Sequence, residues 1–462
     1  MNPSELSEKI ISHLPFEPLP QQAALIESIA DYLLRHTKRD IFLLNGYAGS
    51  GKTSIMGALV RTLRECRVKS VTLAPTGRAA KVAAGFSGGK ASTIHKRIFR
   101  PESNAPDARY FLAPNPDSDT VFIIDEASLI ADTPGSRESL LRQMLKHIHS
   151  SEGNAVILVG DVAQLPPVGQ SDAPAMNAGR LRRMGLYPRE FTLDIPMRQG
   201  ERSGILYNAT RMRQLMLAPV EGMRPKLFAR GFDDVEVLGS QDLADRLSES
   251  WSEVGQDETI IITRSNSRAN RYNMAIRNQV MMAEEPLQRG DRLVISKNDY
   301  YWSKLNKEKT FIANGDMAEV QWVGSTEKMY GRFFTDVELF FPGSELRIGA
   351  KVMLRSLMTE GPSIPRQEME RFYQTVMREQ TGEVSERIKS TLEDPYYNAL
   401  QAKYGYCVTC HKAQGGQWAH VYIDMSGIDP EGLDENFYRW FYTAVTRATQ
   451  KVFFINPTLE AE

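Results

Sequence analysis

The segment GYAGSGKT at residues 46–53 constrains the fold more than any other part of this 462-residue chain. It fits the pattern G-x-x-x-x-G-K-[ST] and lies between an apolar run, IFLLNG, and a segment of helical composition. Glycines let the backbone N–H groups of such a loop converge on phosphate oxygens, and the dipole of the following helix adds to the attraction. We expect Lys52 to reach the outer phosphates and the hydroxyl of Thr53 to supply an oxygen to Mg²⁺. The predicted phosphate contacts are Gly49, Ser50, Gly51, Lys52 and Thr53.

Around this loop, short apolar runs alternate with helical segments over the first 190 residues. The runs lie at residues 41–46, 71–75, 121–125 and 155–161, and each ends in Gly, Pro or Asp. Runs of this length suit strands that are buried on both faces of a parallel sheet, and the helical connections complete βαβ units. Ligands of such sheets gather at the carboxyl ends of the strands. The sequence therefore predicts an α/β fold with its site at those ends.

Two further strand ends carry side chains that suit phosphate chemistry. The run VFIID delivers Asp125, which we expect to hold Mg²⁺, and the adjacent Glu126 is placed to orient and deprotonate an attacking water. The run AVILVGD is followed by Gln164, which is placed to touch the γ-phosphate or that water. An acidic turn without a catalytic role is the alternative for Asp125 and Glu126, and the phosphate loop that precedes them makes it the weaker interpretation.

The second half of the chain resumes the α/β pattern with an interruption. Short β-rich runs lie at residues 258–266, 421–424 and 451–456. Between them, residues 287–355 are rich in short strands and predict a small β-barrel, and residues 361–400 are helical and charged in composition. The second α/β region is therefore predicted to be split by an insertion.

The charge of the chain is unevenly distributed, although its formal net charge is only −1. Between residues 66 and 101 there is no Asp or Glu. The same stretch contains eight basic residues, which are Arg67, Lys69, Arg78, Lys81, Lys90, Lys96, Arg97 and Arg100. A solvated basic face is the alternative, but contact with a polyanion explains so long an acid-free stretch better.

The three cysteines, Cys66, Cys407 and Cys410, are too few for a disulfide framework, and a reducing cytoplasm is the expected location. The first residues do not form a secretory signal, and no apolar run is long enough to span a bilayer. The segment CVTCH at residues 407–411 has the spacing of a c-type haem attachment site, which requires export. A zinc site that also uses His411 and His420 is a second minor alternative.

Eight segments occur in an order that resembles the motifs of the superfamily 1 helicases. Their amino-acid sequences are similar to those of the RecD/Dda-like branch. They are GYAGSGKT, LAPTGRAAKV, STIHKRIF, IIDEAS, VGDVAQLPPVG, RQ at 198–199, VTCHKAQGG and YTAVTRA. The resemblance covers about residues 16 to 456. It assigns CVTCH to a helicase motif, T-x-H-K-x-Q-G, and so removes the need for haem.

The resemblance implies two RecA-like P-loop NTPase lobes with parallel sheets. It also implies a pin hairpin inserted in the first lobe, and an SH3-like β-barrel with a helical segment inserted in the second. The predicted domains are residues 1–190 for the first lobe with the pin at 97–119, 191–286 and 405–462 for the second lobe, and 287–404 for the insertion.

The family resemblance also implies the function: an ATP-dependent DNA helicase that uses ATP and Mg²⁺ and moves 5′→3′ on single-stranded DNA. Its substrates would be single strands and single-strand/double-strand junctions, with no membrane partner. We expect a monomer, with single-strand-binding or DNA repair proteins as further partners. Three alternatives stay open: an RNA translocase, a helicase subunit of a larger repair or recombination complex, and a non-motor protein that uses ATP as a structural clamp.

For the nucleotide, the resemblance implies that Gln22 reads the adenine, with Gln21 as a close rival. Arg198 and Arg447 match the two arginines that lean on the γ-phosphate, a task that suits a planar and permanently charged guanidinium. Gly415 is expected to contact the nucleotide. The catalytic residues implied in this way are Lys52, Glu126, Gln164, Arg198 and Arg447.

For DNA, two groups of residues match family segments that contact phosphates, which position a strand without reading its sequence. They are Thr76, Thr93 and His95 in the first group, and Thr409, His411 and Lys412 in the second. Tyr110 and Phe111 in the predicted pin are candidates for the wedge that splits a duplex, with a small hydrophobic patch as the alternative. The aromatic run at residues 300–302 suits base stacking or, slightly better, core packing.

Overall fold

The structure of the protein is a computed structural model, which describes residues 2–88, 91–101, 110–132, 139–195, 203–218, 225–306, 312–342 and 345–460. The chain divides into two compact units. The first unit comprises Met1–Arg100, Leu112–Ser240 and Ala413–Glu462, and the second comprises Pro101–Phe111 and Gln241–Lys412.

The main sheet of the first unit is parallel throughout. Its strands are β1 (Asp40–Gly46), β2 (Lys69–Ala74), β3 (Ala91–Thr93), β6 (Thr120–Ile124), β7 (Ala155–Gly160) and β8 (Tyr187–Leu193). Their order is β3-β2-β6-β7-β1-β8, and each pair of neighbours is parallel. The two intervening strands, β4 (Phe99–Pro101) and β5 (Tyr110–Leu112), form a separate two-stranded sheet.

Helices cover both faces of this parallel sheet. The helices are α1 (Pro3–Ser12), α2 (Pro20–Arg35), α3 (Lys52–Glu65), α4 (Gly77–Ser87), α5 (Ile94–Ile98), α6 (Leu140–Ile148) and α7 (Ala178–Arg183). Because successive side chains of a strand point to opposite faces, Phe42 and Leu44 of β1 pack with residues of α1, α2 and α3. Ile41 and Leu43 pack with residues of α5, α6 and α7. Burial on both faces explains the continuous apolar runs in the sequence.

The rest of the first unit contains three parallel strands and two long helices. These elements are α8 (Gly204–Leu217), β9 (Val235–Leu238), β17 (Trp418–Asp424), α16 (Glu435–Val445) and β18 (Ala448–Ile455). Strand β18 pairs with β17 on one side and with β9 on the other. Short 3₁₀ helices lie at Ala127–Leu129 and Pro174–Met176.

The second unit contains a pair of parallel strands and a five-stranded antiparallel sheet. Its elements are α9 (Leu243–Glu253), β10 (Thr259–Thr263), α10 (Asn266–Ala275), β11 (Arg292–Ile295), α11 (Tyr301–Leu305), β12 (Met317–Met329), β13 (Arg332–Phe341), β14 (Leu346–Met353), α12 (Leu354–Leu357), α13 (Arg366–Glu379), α14 (Val384–Leu392), β15 (Ala402–Tyr404), β16 (Cys407–Thr409) and α15 (Cys410–Ala413). A 3₁₀ turn at Gln256–Glu258 and a π-helical turn at Ile276–Val280 complete it.

The antiparallel sheet has the order β14-β13-β12-β11-β15, and β10 pairs with β16 in parallel. A β-bridge joins Val352 in the edge strand β14 to Leu400, two residues before the opposite edge strand β15. Helix α13 packs Phe372 and Val376 against Phe334 of β13. The prediction of a strand-rich segment followed by helices is therefore confirmed for residues 287–355 and 361–400.

The predicted mixed α/β class with parallel sheets is confirmed by these elements. The unit divisions at residues 240/241 and 412/413 do not coincide with the predicted domain boundaries, and the four-part division stays a prediction. Within the described ranges, no helix combines the length and the apolar character needed to cross a bilayer.

Candidate active site

The phosphate loop follows β1 and leads directly into α3. Gly49 and Gly51 have φ values of +74° and +88°, in the left-handed region that favours glycine. A Cβ atom at Gly49 would lie 2.9 Å from Cδ1 of Leu206, so the close packing of α8 also requires glycine there. The side chain of Ser50 closes the loop by donating a hydrogen bond of 2.7 Å to the carbonyl of Tyr47. The predicted strand–loop–helix arrangement is thus present.

Lys52, the first residue of α3, folds back over the loop. Its Nζ donates hydrogen bonds to the carbonyls of Gly46 and Tyr47, the latter at 3.0 Å. Carbonyl oxygens carry only partial charge, so an anionic phosphate would compete well for this ammonium group. Thr53 lies in the first turn of α3 with its side chain exposed. Both side chains are placed to meet a ligand that enters the loop.

Asp125 and Glu126 lie at the carboxyl end of β6. Glu126 has a φ of +50°, a strained value for a residue with a side chain, and its N–H donates to Oδ1 of Asp125 at 3.0 Å. Burial and the adjacent negative charge of Glu126 raise the pKa of Asp125 to about 7. Strained residues and raised carboxyl pKa values cluster at functional sites.

This pair suits a divalent cation, because a bound cation would stabilise the ionised form of Asp125 against the burial and the repulsion from Glu126 that raise its pKa. No group of three or more His, Cys, Asp or Glu side chains in the described part of the chain is arranged to hold a metal, and this includes the cysteines of CVTCH. A cation at Asp125 would therefore take further ligands from the Thr53 hydroxyl, the nucleotide and water, as Mg²⁺ commonly does.

Gln164 lies in the loop after β7, and only 6% of its surface is exposed. Its Oε1 accepts no hydrogen bond from any described residue. An unpaired buried acceptor costs about 1–3 kcal/mol, so an oxygen of this kind calls for an explanation. It is suited to accept a hydrogen bond from a water molecule, as the predicted role requires.

Helix α16 presents one face to this loop. The hydroxyl of Tyr442 accepts a hydrogen bond of 2.7 Å from the N–H of Ala48 in the phosphate loop and donates one of 2.6 Å to Oδ2 of Asp161. Thr443 Oγ1 accepts from the N–H of Leu165 at 2.8 Å. Tyr442 and Thr443 are consecutive residues near the end of α16, so a single helix contacts both loops of the site.

Arg439, one turn earlier on α16, extends these contacts. Its Nη1 donates to the carbonyls of Val162 and Gln164, the latter at 3.2 Å, and its Nε donates to Glu435 at 2.8 Å. The side chain of Gln414 adds a hydrogen bond of 2.6 Å to the carbonyl of Leu165. The backbone that carries Gln164 is therefore fixed by side chains from the last fifty residues of the chain.

Arg447 lies two residues after the end of α16, with 3% of its surface exposed. Its guanidinium donates to the carbonyls of Thr443 and Gly416 at 3.0 and 3.2 Å. Its Nη1 is 4.0 Å from Oε1 of Glu126. The structure thus brings a predicted arginine finger to the predicted general base, and both lie in the first unit with the phosphate loop.

The two glutamines considered for the adenine are both engaged with protein groups. Gln22 is 2% exposed, and its amide donates to the carbonyl of Ser50 at 3.0 Å and accepts from the N–H of Leu19 at 3.0 Å. Gln21 is half-buried and bonds to Asp194 beside the end of β8. Gln22 therefore holds the phosphate loop, and Gln21 lies at the surface near the same strand ends.

The predicted DNA contacts of the first unit lie at helix starts. Thr76 and Thr93 cap α4 and α5 by accepting hydrogen bonds of 3.2 Å from Ala79 and Lys96. Burial lowers the pKa of His95, so the ring is neutral near pH 7. Gly415, predicted to contact the nucleotide, lies beside Thr76: a Cβ atom there would be 3.0 Å from the Thr76 hydroxyl.

The remaining predicted residues belong to the second unit or fall outside the described residues. Thr409 ends β16, and burial lowers the pKa values of His411 and Lys412 in α15. Phe111 in β5 is 46% exposed, and Tyr110 begins the same strand. Arg198 lies outside the described residues.

The aromatic run at residues 300–302 packs largely onto the backbone of the second unit. Tyr301 donates to the carbonyl of Glu393 at 2.9 Å, and Trp302 Nε1 donates to that of Asn398 at 2.8 Å. These bonds favour the core-packing interpretation of both rings.

Three residues of the site were not found from the sequence: Tyr442, Arg439 and Arg213. Tyr442 lies inside the segment YTAVTRA, where only the arginine was singled out. Arg213 lies on the face of α8 that also buries Ile205 and Met212. A basic residue at helical spacing from apolar residues was the available signal.

Comparison with known proteins also finds similarity to helicases. An AAA domain model matches residues 19–203, and a model of the UvrD-like helicase C-terminal domain matches residues 404–455. The ATP-dependent DNA helicase Pif1 of Psychrobacter is 33% identical over 139 residues, which cover 29% of this chain and 20% of that helicase. The ATP-dependent RecD2 DNA helicase of Deinococcus radiodurans is 29% identical over 149 residues, which cover 32% of this chain and 18% of that helicase.

This chain thus matches about a fifth of the length of these two helicases. Among solved structures, Pif1 helicase from Bacteroides in complex with ADP-AlF3 and single-stranded DNA aligns with a TM-score of 0.46 and 15% identity, over 93% of this chain and 91% of that one. The two family models match in the order that the motifs predict, and both relatives are helicases. The two family models and these two relatives thus show that the chain is similar to superfamily 1 helicases of the Pif1/RecD-like type.

Proposed function

We propose that this chain is an ATP-dependent DNA helicase that translocates 5′→3′ on single-stranded DNA. The observation that carries the proposal is the meeting of a phosphate loop, two strand-end carboxylates, a buried glutamine and an arginine in one site. The members of this set are Lys52, Asp125, Glu126, Gln164 and Arg447. A clamp that only binds ATP has no need for the general base, the glutamine and the arginine together.

In the proposed hydrolysis, the loop N–H groups and Lys52 bind the β- and γ-phosphates. Mg²⁺, held by Thr53 and Asp125, would neutralise phosphate charge. Glu126 orients the attacking water and accepts its proton, while Oε1 of Gln164 accepts a second hydrogen bond from that water. Arg447 moves from backbone carbonyls to the γ-phosphate and stabilises the charge of the transition state. Arg198 is proposed as the second arginine finger.

The strand would be held by phosphate contacts in two sets. Thr76, Thr93 and His95 form one set, and Thr409, His411 and Lys412 form the other. Translocation requires that the sets grip alternately as ATP binds and is hydrolysed, and the γ-phosphate can drive this change only through its different affinity for the two states. Gln22 and Gly415 are proposed to contribute to the nucleotide response through the loops they contact.

The wider architecture follows the same proposal: two RecA-like lobes, a pin and a barrel. The bridge between the edges of the five-stranded sheet, at Val352 and Leu400, supports an SH3-like barrel. Tyr110 and Phe111 are proposed as the wedge, and the exposure of Phe111 supports this role. We propose a monomer that acts at DNA junctions in the cytoplasm, with single-strand-binding or repair proteins as partners.

An unwinding assay on tailed duplexes tests the function. The protein with ATP and Mg²⁺ should separate a DNA duplex with a 5′ single-stranded tail and leave a 3′-tailed duplex intact. Lys52→Ala should lose unwinding and ATP hydrolysis but keep single-strand binding, because the phosphate loop is separate from the proposed DNA contacts. Unwinding of the 3′-tailed duplex alone would overturn the direction. Absence of ATP turnover with DNA, or turnover that only RNA stimulates, would overturn the DNA helicase.

A further inference from the structure

Helix α8 packs an arginine directly onto the phosphate loop. Cζ of Arg213 lies 3.9 Å from the centre of the Tyr47 ring, and Leu206 from the same helix packs against Gly49. Arg213 is 8% exposed and shares the buried face of α8 with Met212. Helix α8 thus contacts the loop on both sides of Ala48, through Arg213 at Tyr47 and through Leu206 at Gly49.

The buried charge of Arg213 is poorly satisfied by protein groups. Its Nη2 makes one long hydrogen bond of 3.4 Å to the carbonyl of Asp194. Its Nη1 is buried and has no hydrogen-bond partner among the described residues. The carboxylate of Asp194 instead accepts from Gln21. Stacking on Tyr47 gives the cation a favourable neighbour but no counter-charge.

A buried cation without an anion is strongly destabilising, and proteins retain one where a ligand supplies the anion. We propose that Arg213 is a nucleotide-binding residue that donates to a phosphate of the nucleotide in the loop. This inference rests on the proposed function, since it needs a nucleotide at residues 46–53. The planar guanidinium suits a phosphate, and stacking on Tyr47 fixes its plane before the ligand arrives.

A purely structural role for Arg213 predicts effects on stability and on nucleotide binding that are opposite to those of a phosphate-binding role. If the arginine only joins α8 to the loop, its loss should lower stability and leave the nucleotide affinity of the folded protein unchanged. If it awaits a phosphate, its loss should weaken nucleotide binding. It should also leave the unliganded protein at least as stable, because an uncompensated buried charge disappears.

The test compares Arg213→Met, which keeps an unbranched apolar stem but removes the charge, with Arg211→Met on the exposed face of the same helix. Binding of a non-hydrolysable ATP analogue and of ADP is measured by calorimetry, and unfolding without nucleotide by circular dichroism. Loss of a charged hydrogen bond predicts that Arg213→Met binds at least one of the two ligands about tenfold more weakly or worse. Its unfolding midpoint should equal or exceed that of the wild type, and Arg211→Met should match the wild type in both measurements.

Affinity of Arg213→Met for both ligands within about threefold of the wild type would overturn the inference, since that is less than one charged hydrogen bond supplies. A lowered unfolding midpoint of Arg213→Met with unchanged nucleotide affinity would also overturn the inference, because the arginine would then serve folding alone. If the wild type itself bound neither ligand, the proposed function would fail first, and the two failures are thereby distinguished.

Discussion

Arg277 in the second unit has an environment that contrasts with those of the site cations in the first unit. In the second unit, Arg277 is 2% exposed and makes a bidentate ion pair with Asp291, with both hydrogen bonds at 2.9 Å. It also donates to the carbonyl of Glu285 and to the hydroxyl of Tyr404, while Tyr406 donates to the same carboxylate. Every charge in this group is neutralised by the protein itself.

In the first unit, the buried cations rest mainly on backbone carbonyls. Lys52 donates to loop carbonyls, Nη1 of Arg213 has no hydrogen-bond partner among the described residues, and the described carboxylate that pairs with Arg447, Glu126, is 4.0 Å away. A carbonyl satisfies a donor without cancelling its charge, so these cations keep an affinity for an anion that Arg277 has lost to Asp291. We therefore treat Arg277 as a structural charge, and Lys52, Arg213 and Arg447 as charges that can serve a ligand.

The largest effect that sharpens this contrast concerns Arg447. Arg447→Ala should reduce ATP hydrolysis by on the order of 10³ or more, because an arginine finger acts mainly on the transition state. Nucleotide affinity should stay within about tenfold of the wild type, a smaller effect than that on hydrolysis. Steady-state hydrolysis and equilibrium binding measure the two, with Arg211→Ala as the control. A hydrolysis rate near that of the wild type would show that Arg447 is not a finger.

The second prediction concerns the structural charge pair of Arg277 and Asp291, whose loss should affect stability. Asp291→Ala leaves the buried Arg277 without its counter-charge and should lower the free energy of unfolding by about 3–5 kcal/mol. Denaturation by urea measures this change. Glu338→Ala removes one partner of an exposed pair, Glu338 and Arg347 at 3.7 Å, and should cost no more than about 1 kcal/mol. Similar losses in both variants would break the contrast between structural and exposed charges.

Nucleotide binding completes this comparison. At a temperature where Asp291→Ala remains folded, its affinity for ATP should equal that of the wild type, because Asp291 is not part of the phosphate loop. The structural charge then affects folding alone.

The sequence predicted the sheet of the first unit better than it predicted the site. Strands β1, β6 and β7 read as apolar runs because both faces are covered, and the ends of those runs located Lys52, Asp125 and Gln164. Strand β8 was not predicted, because it lies at the sheet edge and its sequence YPREFTL mixes polar and apolar residues. Periodicity reports burial, so strands with little burial leave little signal.

The contacts made by α8 and α16 could not be predicted in the same way. Arg213 meets Tyr47 only because α8 packs on the phosphate loop, more than 150 residues away in sequence. Gln22 illustrates the same limit: its motif predicts an adenine contact, which stays a prediction, but the sequence did not indicate the hydrogen bond from its amide to Ser50. A motif identifies a residue type at a position, but its partner depends on tertiary packing.

A third prediction uses Asp299, a half-buried carboxyl of the second unit. Burial raises the pKa of Asp299 to about 7, and its Oδ1 accepts from the N–H of Trp302 at 3.0 Å. The unfolded value is about 3.9, so the folded protein binds more protons and stability falls as the pH rises from about 4 to about 7. Asp299→Asn cannot ionise, and its stability relative to the wild type should increase between pH 4.5 and pH 8, by on the order of 2 kcal/mol.

Unfolding midpoints at the two pH values measure this effect, and Asp233→Asn at an exposed position is the control. A difference that does not change with pH would show that Asp299 ionises as readily in the folded protein as in the unfolded chain.

The smallest expected effect tests the hydroxyl that joins the two loops of the site. Tyr442→Phe leaves the N–H of Ala48 and the carboxylate of Asp161 each without one partner, and should cost about 1–2 kcal/mol of unfolding free energy. If the hydroxyl also aligns the Gln164 loop with the phosphate loop, kcat should fall by about tenfold while KM changes little, since alignment matters most in the transition state.

Tyr438→Phe on the same helix supplies the control, because the Tyr438 hydroxyl makes no hydrogen bond with any described residue. If Tyr442→Phe loses stability without any change in kcat, the hydrogen bonds of Tyr442 serve folding only, as those of Arg277 do. If kcat falls in Tyr442→Phe but not in Tyr438→Phe, Tyr442 contributes to catalysis, as proposed for Lys52 and Arg447. Two tyrosines of the same helix, α16, would then differ in role: Tyr442 would contribute to catalysis, and Tyr438 would not.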